Sequence, residues 1–333
     1  MHLVTGANGH IGNVLVRQLL ARGEEVRAFV RPNANLAALH GLEVEIFPGD
    51  LLDPATLARA LQGVEVVYHL AARISLAPGP DPETARVNLD GTRTLLAAAR
   101  HSPIRRFVYA SSIYAMRIPS EGVVDESLPF DPDHARGAYD RSKAAASLEV
   151  QKAAMEGLDA VIVCPTAVIG PYDFRPSEAG RGILYNLPPG VKFYVDGAYD
   201  FVDVRDAAHG FILAAEKGRS GETYILGGDR LTVREAAETI WEAAGGWHLG
   251  ICLPNWIADL AAEILPLFQD EPIVTPYALA AIRSNSNVSH ARAARELGFS
   301  PRPARQAVAD AARWFRQRDG ERVLVGMPFE AAV

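Results

Sequence analysis

Tyr139 and Lys143 stand four residues apart in GAYDRSKAA (137–145). On a helix, that spacing puts two side chains on one face. A phenol with an ammonium beside it can exchange a proton with a bound molecule, or the pair can be one more charged turn facing water. A phenol ionises near about pH 10 and is a poor base at neutral pH unless tuned. A neighbouring positive charge favours the phenolate and lowers its pKa. The pair alone does not decide, and Asp140 and Arg141 between its members read as a solvent-facing turn. Proton transfer needs partners elsewhere in the chain.

The first partner is VTGANGHIG, which spaces Gly6, Gly9 and Gly12 three residues apart. Glycine serves where the backbone turns tightly and passes close to a ligand. The helix that begins near His10 carries Val16, Leu19 and Leu20 on one face. Its free N–H groups and positive dipole end point at the loop, the makings of a pyrophosphate site. The second strand ends EVRAFVRPN, with Arg31 at its end, Arg27 earlier, and no Asp or Glu at that end. An acid there would bind a ribose 2′-OH, whereas an arginine accommodates a 2′-phosphate. NADP(H) is therefore expected, with NAD(H) as the alternative and an unemployed surface arginine as the plain one. Asp50, past the third strand, is placed to accept from an adenine amine. Asp53, just before Pro54, is the better helix cap.

These groups must be positioned by βαβ units. Short β-branched runs at 2–5, 25–30, 44–47, 64–71, 106–111 and 160–165 alternate with helical patterns after Gly12, at 54–61, at 84–99 and at 138–157. Gly23 and Gly157 fit the stop positions of their helices. Near-continuous apolar strands such as AVIVC suit a sheet covered on both faces. The expected fold is α/β, a doubly wound parallel sheet whose ligands bind at the C-terminal strand ends. Residues 1–165 form the dinucleotide domain, and 199–228 return to the sheet. Residues 166–198 and 229–333 form a smaller, mostly helical substrate lobe. Within it, 172–182 (YDFRPSEAGRG) reads as a lid or as a plain surface connection.

Composition excludes several other classes. The 333 residues are 49% hydrophobic with a net charge of −7, and the mean hydropathy is +0.03. There is no basic surplus to neutralise nucleic acid. Cys164 and Cys252 form neither a disulfide framework nor a metal cluster, so no metal is expected. The N-terminus has no signal-like run, and no window approaches about 18 uninterrupted apolar residues. A cytoplasmic protein without an integral membrane segment is expected. The segment 253–268 reads as a packed or groove-lining helix, with peripheral membrane contact as the lesser alternative.

Taken together, the glycine loop, Ser112 at the end of the fifth strand, Tyr139-x-x-x-Lys143, CPTAVIGP (164–171), FVDVRDAA (201–208) and SHARAARELGFSPRP (289–303) resemble an extended short-chain dehydrogenase/reductase along nearly the whole chain. The wording VRAFVRP and SSI is similar to the branch of dihydroflavonol reductases, 3β-hydroxysteroid dehydrogenases and hopanoid-associated sugar epimerases. The resemblance implies a Rossmann-like domain and, with it, a homodimer as an open expectation. It implies that Ser112 binds the substrate oxygen, Tyr139 gives or takes the proton, and Lys143 binds the nicotinamide ribose. Its cofactor-contacting set is Gly6, Asn8, Gly9, His10, Ile11, Gly12, Arg31, Asp50, Leu51, Ala71, Ala72, Asn88, Tyr139, Lys143, Pro165 and Val168. Asn88 also reads as a structural side-chain-to-backbone bond, and Ser111 as packing.

The expected activity is an NADP-dependent oxidoreductase acting on a carbonyl or alcohol of a small apolar or aromatic substrate. The alternative is a nucleotide-sugar epimerase or dehydratase, and the third reading is a non-catalytic dinucleotide sensor. An intact Ser112, Tyr139 and Lys143 speaks against the sensor. Nucleotide-sugar members carry a diphosphate-gripping arginine where this chain has Tyr199, Arg-Pro where it has Cys164-Pro165, and, in dehydratases, an acidic pair where it has Ile113-Tyr114. Arg175 or Arg181 are possible substitutes for that arginine. Tyr114, Met116, Phe174, Tyr185, Phe193 and Trp256 line a substrate pocket or belong to core and rim; their spacing does not separate the two.

Overall fold

The computed structural model describes residues 1–75, 79, 81–133, 137–265, 268 and 273–320. Its strands are β1 (His2–Thr5), β2 (Val26–Val30), β3 (Glu45–Pro48), β4 (Val66–His69), β5 (Arg106–Ala110), β6 (Ala160–Pro165), β7 (Ala167–Ile169), β8 (Gly190–Val195), β9 (Ala198–Asp203), β10 (Thr223–Leu226), β11 (Asp229–Thr232) and β12 (His248–Leu253). Its helices are α1 (His10–Ala21), α2 (Pro54–Ala60), α3 (Pro82–Ala85), α4 (Gly91–Arg100), α5 (Ala138–Met155), α6 (Glu178–Asn186), α7 (Val204–Lys217), α8 (Val233–Ala244), α9 (Asn255–Ile264), α10 (Pro276–Ile282), α11 (Ala291–Leu297) and α12 (Ala304–Gly320).

Seven strands form one sheet in the order β10-β6-β5-β4-β1-β2-β3, and every pairing in it is parallel. The chain winds one way from β1 to β3 and the other way from β4 onward, so β1 and β4 flank the switch point where ligands bind. Strand alternation feeds two cores, one on each face of the sheet. Val4, Tyr68 and Val108 pack with Val14, Leu15 and Phe211 of α1 and α7. Leu3, Val67, Phe107 and Tyr109 pack with Leu57, Leu95 and Val150 of α2, α4 and α5. The doubly wound sheet read from the sequence is thus present, with six strands and their helices near the expected positions.

Local chemistry sets the helix ends. Asp53 caps α2, its carboxylate accepting from the Ala55 N–H at 3.0 Å with Pro54 in the first turn, as the sequence suggests. Gly23 and Gly157 follow α1 and α5 with φ of 75° and 99°, where a Cβ would be strained. The helical stretch at 84–99 is not uniform: a π-helical turn at Arg86–Asp90 separates α3 from α4. Such turns mark functional positions in many helices, and this one carries Asn88.

Segment 199–228 divides. The helix α7 and strand β10 join the large sheet, β10 pairing with β6, while β9 lies between β7 and β11 in a three-stranded sheet. A second small sheet pairs β8 with β12. The helices α9 to α12 complete a smaller C-terminal lobe, with cores around Ile183, Ile240 and Phe315 and around Ala258, Leu279 and Ile282. Of the segment 253–268, α9 buries Ala258 and Ala262 and exposes Trp256, Leu260 and Ile264. Pro266 and Leu267, like the chain after 320, lie outside the described residues. No helix among the described residues is long and apolar enough to cross a membrane.

Candidate active site

The glycine loop is wound so tightly that side chains are excluded. A Cβ on Gly12 would lie 2.1 Å from the Gly6 carbonyl oxygen, and one on Gly6 would lie 2.7 Å from the Ala71 nitrogen. Gly6 sits at φ 69°, and the Gly9 N–H donates to its carbonyl at 2.9 Å. Gly9 caps α1 without any side-chain bond. Among the described residues, the first-turn N–H groups on His10, Ile11 and Gly12 meet no side-chain acceptor, and the helix dipole stands behind them, as an anion site requires. A dinucleotide pyrophosphate fits this cradle. Asn8 is partly buried beside it and donates to the Asn35 carbonyl at 3.1 Å.

At the ends of the next two strands the polar groups are less committed. Arg27 is structural: it donates to the Ala60 and Gln62 carbonyls and pairs with Glu45 at 3.0 Å. Arg31 is exposed, and its guanidinium makes no hydrogen bond or ion pair among the described residues. Asp50 is exposed and accepts from the Leu52 N–H at 2.9 Å, while Leu51 is buried beside Gly91.

Ser112 lies two residues past the end of β5, and its Oγ accepts from the Tyr114 N–H at 3.2 Å, which leaves its own hydrogen for another acceptor. Lys143, only 2% exposed, donates from Nζ to the Ala110 carbonyl and lies 4.4 Å from the Tyr109 ring centroid. The Ser111 and Ser147 hydroxyls meet at 2.7 Å, a second tie between the end of β5 and α5, one turn beyond this lysine. Burial lowers the Lys143 pKa to about 7. The Tyr139 phenol is pushed above its ordinary value, first by burial and then by the Asp140 carboxylate. The free protein therefore holds Tyr139 as a protonated acid at neutral pH.

Asp140 differs from its expected position. It is 0% exposed, and the Tyr277 hydroxyl of α10 donates to it at 2.8 Å. A turn that looks solvated from its sequence is covered by a residue 137 positions away. Arg141 is partly buried. Cys164 also lies against the site, its thiol pushed up to about 12 by burial, with the Ser111 side chain, the Ser112 backbone and Lys143 acting on it.

Behind the switch point runs a buried chain of bonds. His69 meets Thr5 Oγ1 at 2.7 Å and Thr92 Oγ1 at 2.9 Å, and burial followed by Lys143 lowers its pKa to about 3. Neutral His69 thus pins the ends of β1 and β4. No local motif announces it; the signal is a polar residue ending an apolar strand. Asn88 Nδ2 donates to the Arg73 carbonyl and to Ser142 Oγ, each at 2.9 Å, and its Oδ1 accepts from the Arg73 N–H at 2.7 Å. It thereby ties the loop after β4 to α5. Ala71 donates from its N–H to Thr5 Oγ1 at 3.1 Å, and Ala72 is exposed. Pro165 ends β6, and Val168 lies in β7 beside β9.

The expected lid is fastened at its start. His10 Nε2 bonds the Pro171 carbonyl at 3.0 Å, Asn13 Nδ2 donates to the Tyr172 carbonyl at 3.1 Å, and Arg17 stacks on the Tyr172 and Phe174 rings. Tyr172 holds φ 66°, a strained value for a side chain of its size. Of the aromatic and apolar candidates, Met116 is core, whereas Phe193 is 50% and Trp256 68% exposed. Tyr185 reaches toward the Phe193 N–H at 3.0 Å. Arg181 pairs with Glu178 at 3.2 Å, and Arg175 is exposed.

Residues 2–227 match the model of the NAD dependent epimerase/dehydratase family. Sterol demethylase protein B of Methylococcus capsulatus is 39% identical over 95% of this chain and 98% of that protein. A 3 beta-hydroxysteroid dehydrogenase/Delta 5-->4-isomerase of Mycobacterium tuberculosis is 30% identical over 90% and 85%. Among solved structures, gox2253 superposes with a TM-score of 0.79 at 37% identity over 96% of this chain and 98% of that one. PA4631, a nucleoside-diphosphate-sugar epimerase of Pseudomonas aeruginosa, gives 0.75 at 27% over 95% and 97%. DesIV, a dTDP-glucose 4,6-dehydratase of Streptomyces venezuelae with NAD and TYD bound, gives 0.75 at 24% over 96% and 98%. The NADP(H) preference read from Arg31 is corrected by DesIV, which is solved with NAD bound in two structures. The physical reason lies in the side chain: Arg31 is exposed, and nothing among the described residues orients its guanidinium toward a 2′-phosphate.

Proposed function

The chain belongs to the NAD dependent epimerase/dehydratase family, and on that premise we propose an NAD-linked oxidoreductase acting on a secondary alcohol or its ketone in a small, largely apolar molecule. Bound in the glycine cradle, the dinucleotide supplies or accepts a hydride. Everything else falls to the chain. Ser112 donates its free hydrogen to the substrate oxygen and fixes it beside Tyr139. In the reducing direction the protonated Tyr139 phenol gives its proton to the oxygen as negative charge develops there. In the oxidising direction the phenol accepts the proton, and Lys143 stabilises the resulting phenolate. Asn88 and the Ser111–Ser147 pair hold α5 against the strand ends, so the phenol keeps its place through both steps.

The observation that carries the substrate class is Tyr199. Where nucleotide-sugar members place a diphosphate-gripping arginine, β9 presents a partly buried phenol packed edge-on to Phe201 at 5.5 Å. The near-full-length relatives named for sterols and steroids support the same class. A second reading, a nucleotide-sugar epimerase or dehydratase that keeps its NAD through the cycle, is favoured by the family description and by the PA4631 epimerase. Turnover of a 3β-hydroxysteroid with NAD, set against turnover of dTDP-glucose, separates the two. Activity on the sugar nucleotide alone overturns the apolar assignment. A cytoplasmic homodimer completes the proposal, and sedimentation measures its assembly state.

A further inference from the structure

We infer that Tyr277 is a positioning residue through which the C-terminal lobe sets the catalytic phenol of Tyr139; this rests on the acid/base role proposed for Tyr139. The lobe holds Tyr277 firmly. Thr275 caps α10, its hydroxyl accepting from the Ala278 N–H at 3.1 Å, and Pro276 occupies the first turn. Two residues further along, Leu279 and then Ile282 are buried with Ala258 and Ala262 of α9. Past α10, the chain grips the first domain: Asn285 and Asn287 donate from their side chains to the Gly122 carbonyl at 2.9 Å and 3.1 Å, and Val124 pairs with Val288.

From this anchored helix, Tyr277 reaches the start of α5 twice. Its hydroxyl donates to Asp140 Oδ1 at 2.8 Å. Its ring lies against Gly137, the residue before α5, where a Cβ would come within 3.3 Å of two ring carbons. Asp140 is a wholly buried carboxylate adjoining Tyr139 in sequence, and its charge opposes ionisation of that phenol. A hydrogen bond donated to a carboxylate draws off part of its charge and fixes its direction. The other ionisable groups bearing on Tyr139 are Cys164 of β6, Tyr109 of β5 and Tyr277 itself, and Lys143 stands one turn along α5. Tyr277 alone among these comes from the substrate lobe, so a movement of the lobe is transmitted to the acid/base group through it.

The test follows tyrosinate absorbance against pH in the full chain saturated with NAD, which requires no substrate. With NAD bound, the positive charges of the nicotinamide and Lys143 are expected to offset the burial that raises this phenol in the free protein, so Tyr139→Phe is expected to abolish the tyrosinate step of lowest pH. Tyr277→Phe is expected to raise the proton affinity of that step about tenfold, because Asp140 loses a donor. In an Asp140→Asn background, Tyr277→Phe should have no further effect. If Tyr139→Phe leaves the lowest step in place, the acid/base reading fails and this inference fails with it. If Tyr139→Phe removes the step but Tyr277→Phe leaves it within about twofold of wild type, the inference alone is overturned. A shift that persists undiminished beside Asp140→Asn also overturns it, because Tyr277 then acts by another route.

Discussion

Lys143 carries the sharpest physical expectation at the scale of single residues. Its pKa falls from the ordinary value to about 7 on burial. Below that pH the lysine is charged in both folded and unfolded chains, and the folded state bears the full cost of burying it. Between about 7 and about 10 the unfolded lysine keeps its proton while the folded one sheds it, so stability rises with pH. Thermal melts of wild type and Lys143→Met should therefore favour the variant most at about pH 6, with the difference shrinking by about pH 9. A difference that does not change with pH contradicts the assignment. The helix that puts Tyr139 and Lys143 on one face was legible from their four-residue spacing together with the surrounding pattern. Asp140 was not. Whether a carboxylate meets water depends on what packs over it, and here that is Tyr277, far along the chain.

Among the elements, the glycine loop with α1 and the capping box of α8 make contrasting predictions. Gly12→Ala places a Cβ 2.1 Å from the Gly6 carbonyl oxygen, a backbone contact that no rotamer change relieves. The loop must open, and NAD affinity by calorimetry should fall at least about tenfold as the pyrophosphate donors are displaced. Affinity within about twofold of wild type would show that the loop is not the cradle. In α8, Thr232 accepts from the Glu235 N–H while the Glu235 carboxylate accepts from the Thr232 N–H at 2.9 Å. Thr232→Ala should cost about 1 kcal/mol in denaturant unfolding and leave NAD affinity unchanged. Apart from the exposed edge strand β3, the strands of the large sheet are apolar runs because burial on both faces demands such runs. The two small sheets escaped the sequence reading. Segments β7 and β11 are short, and in GVKFYV and HLGICL the apolar face is left exposed, with Val191, Phe193, Leu249 and Ile251 turned to solvent.

The whole molecule joins a doubly wound parallel sheet to a smaller C-terminal lobe, and on the proposed function its stability should respond to NAD. NAD at about a hundredfold over its dissociation constant should add about 2.7 kcal/mol to unfolding. The Arg31 argument shows where single-residue reading of specificity stops: a strand-end arginine reports charge, while cofactor choice depends on what surrounds the ribose. Tyr199 was readable as a departure from the nucleotide-sugar pattern, yet its burial against Phe201 comes only from how β9 packs. The most direct measurement is NADH formation by wild type and Tyr139→Phe on a panel of 3β-hydroxysteroids and simpler secondary alcohols, with NAD affinity measured alongside. The expected result is turnover by wild type, at least about a hundredfold loss in the variant, and equal NAD affinity in both. Undiminished turnover in the variant, or no turnover of the panel by wild type, contradicts the account.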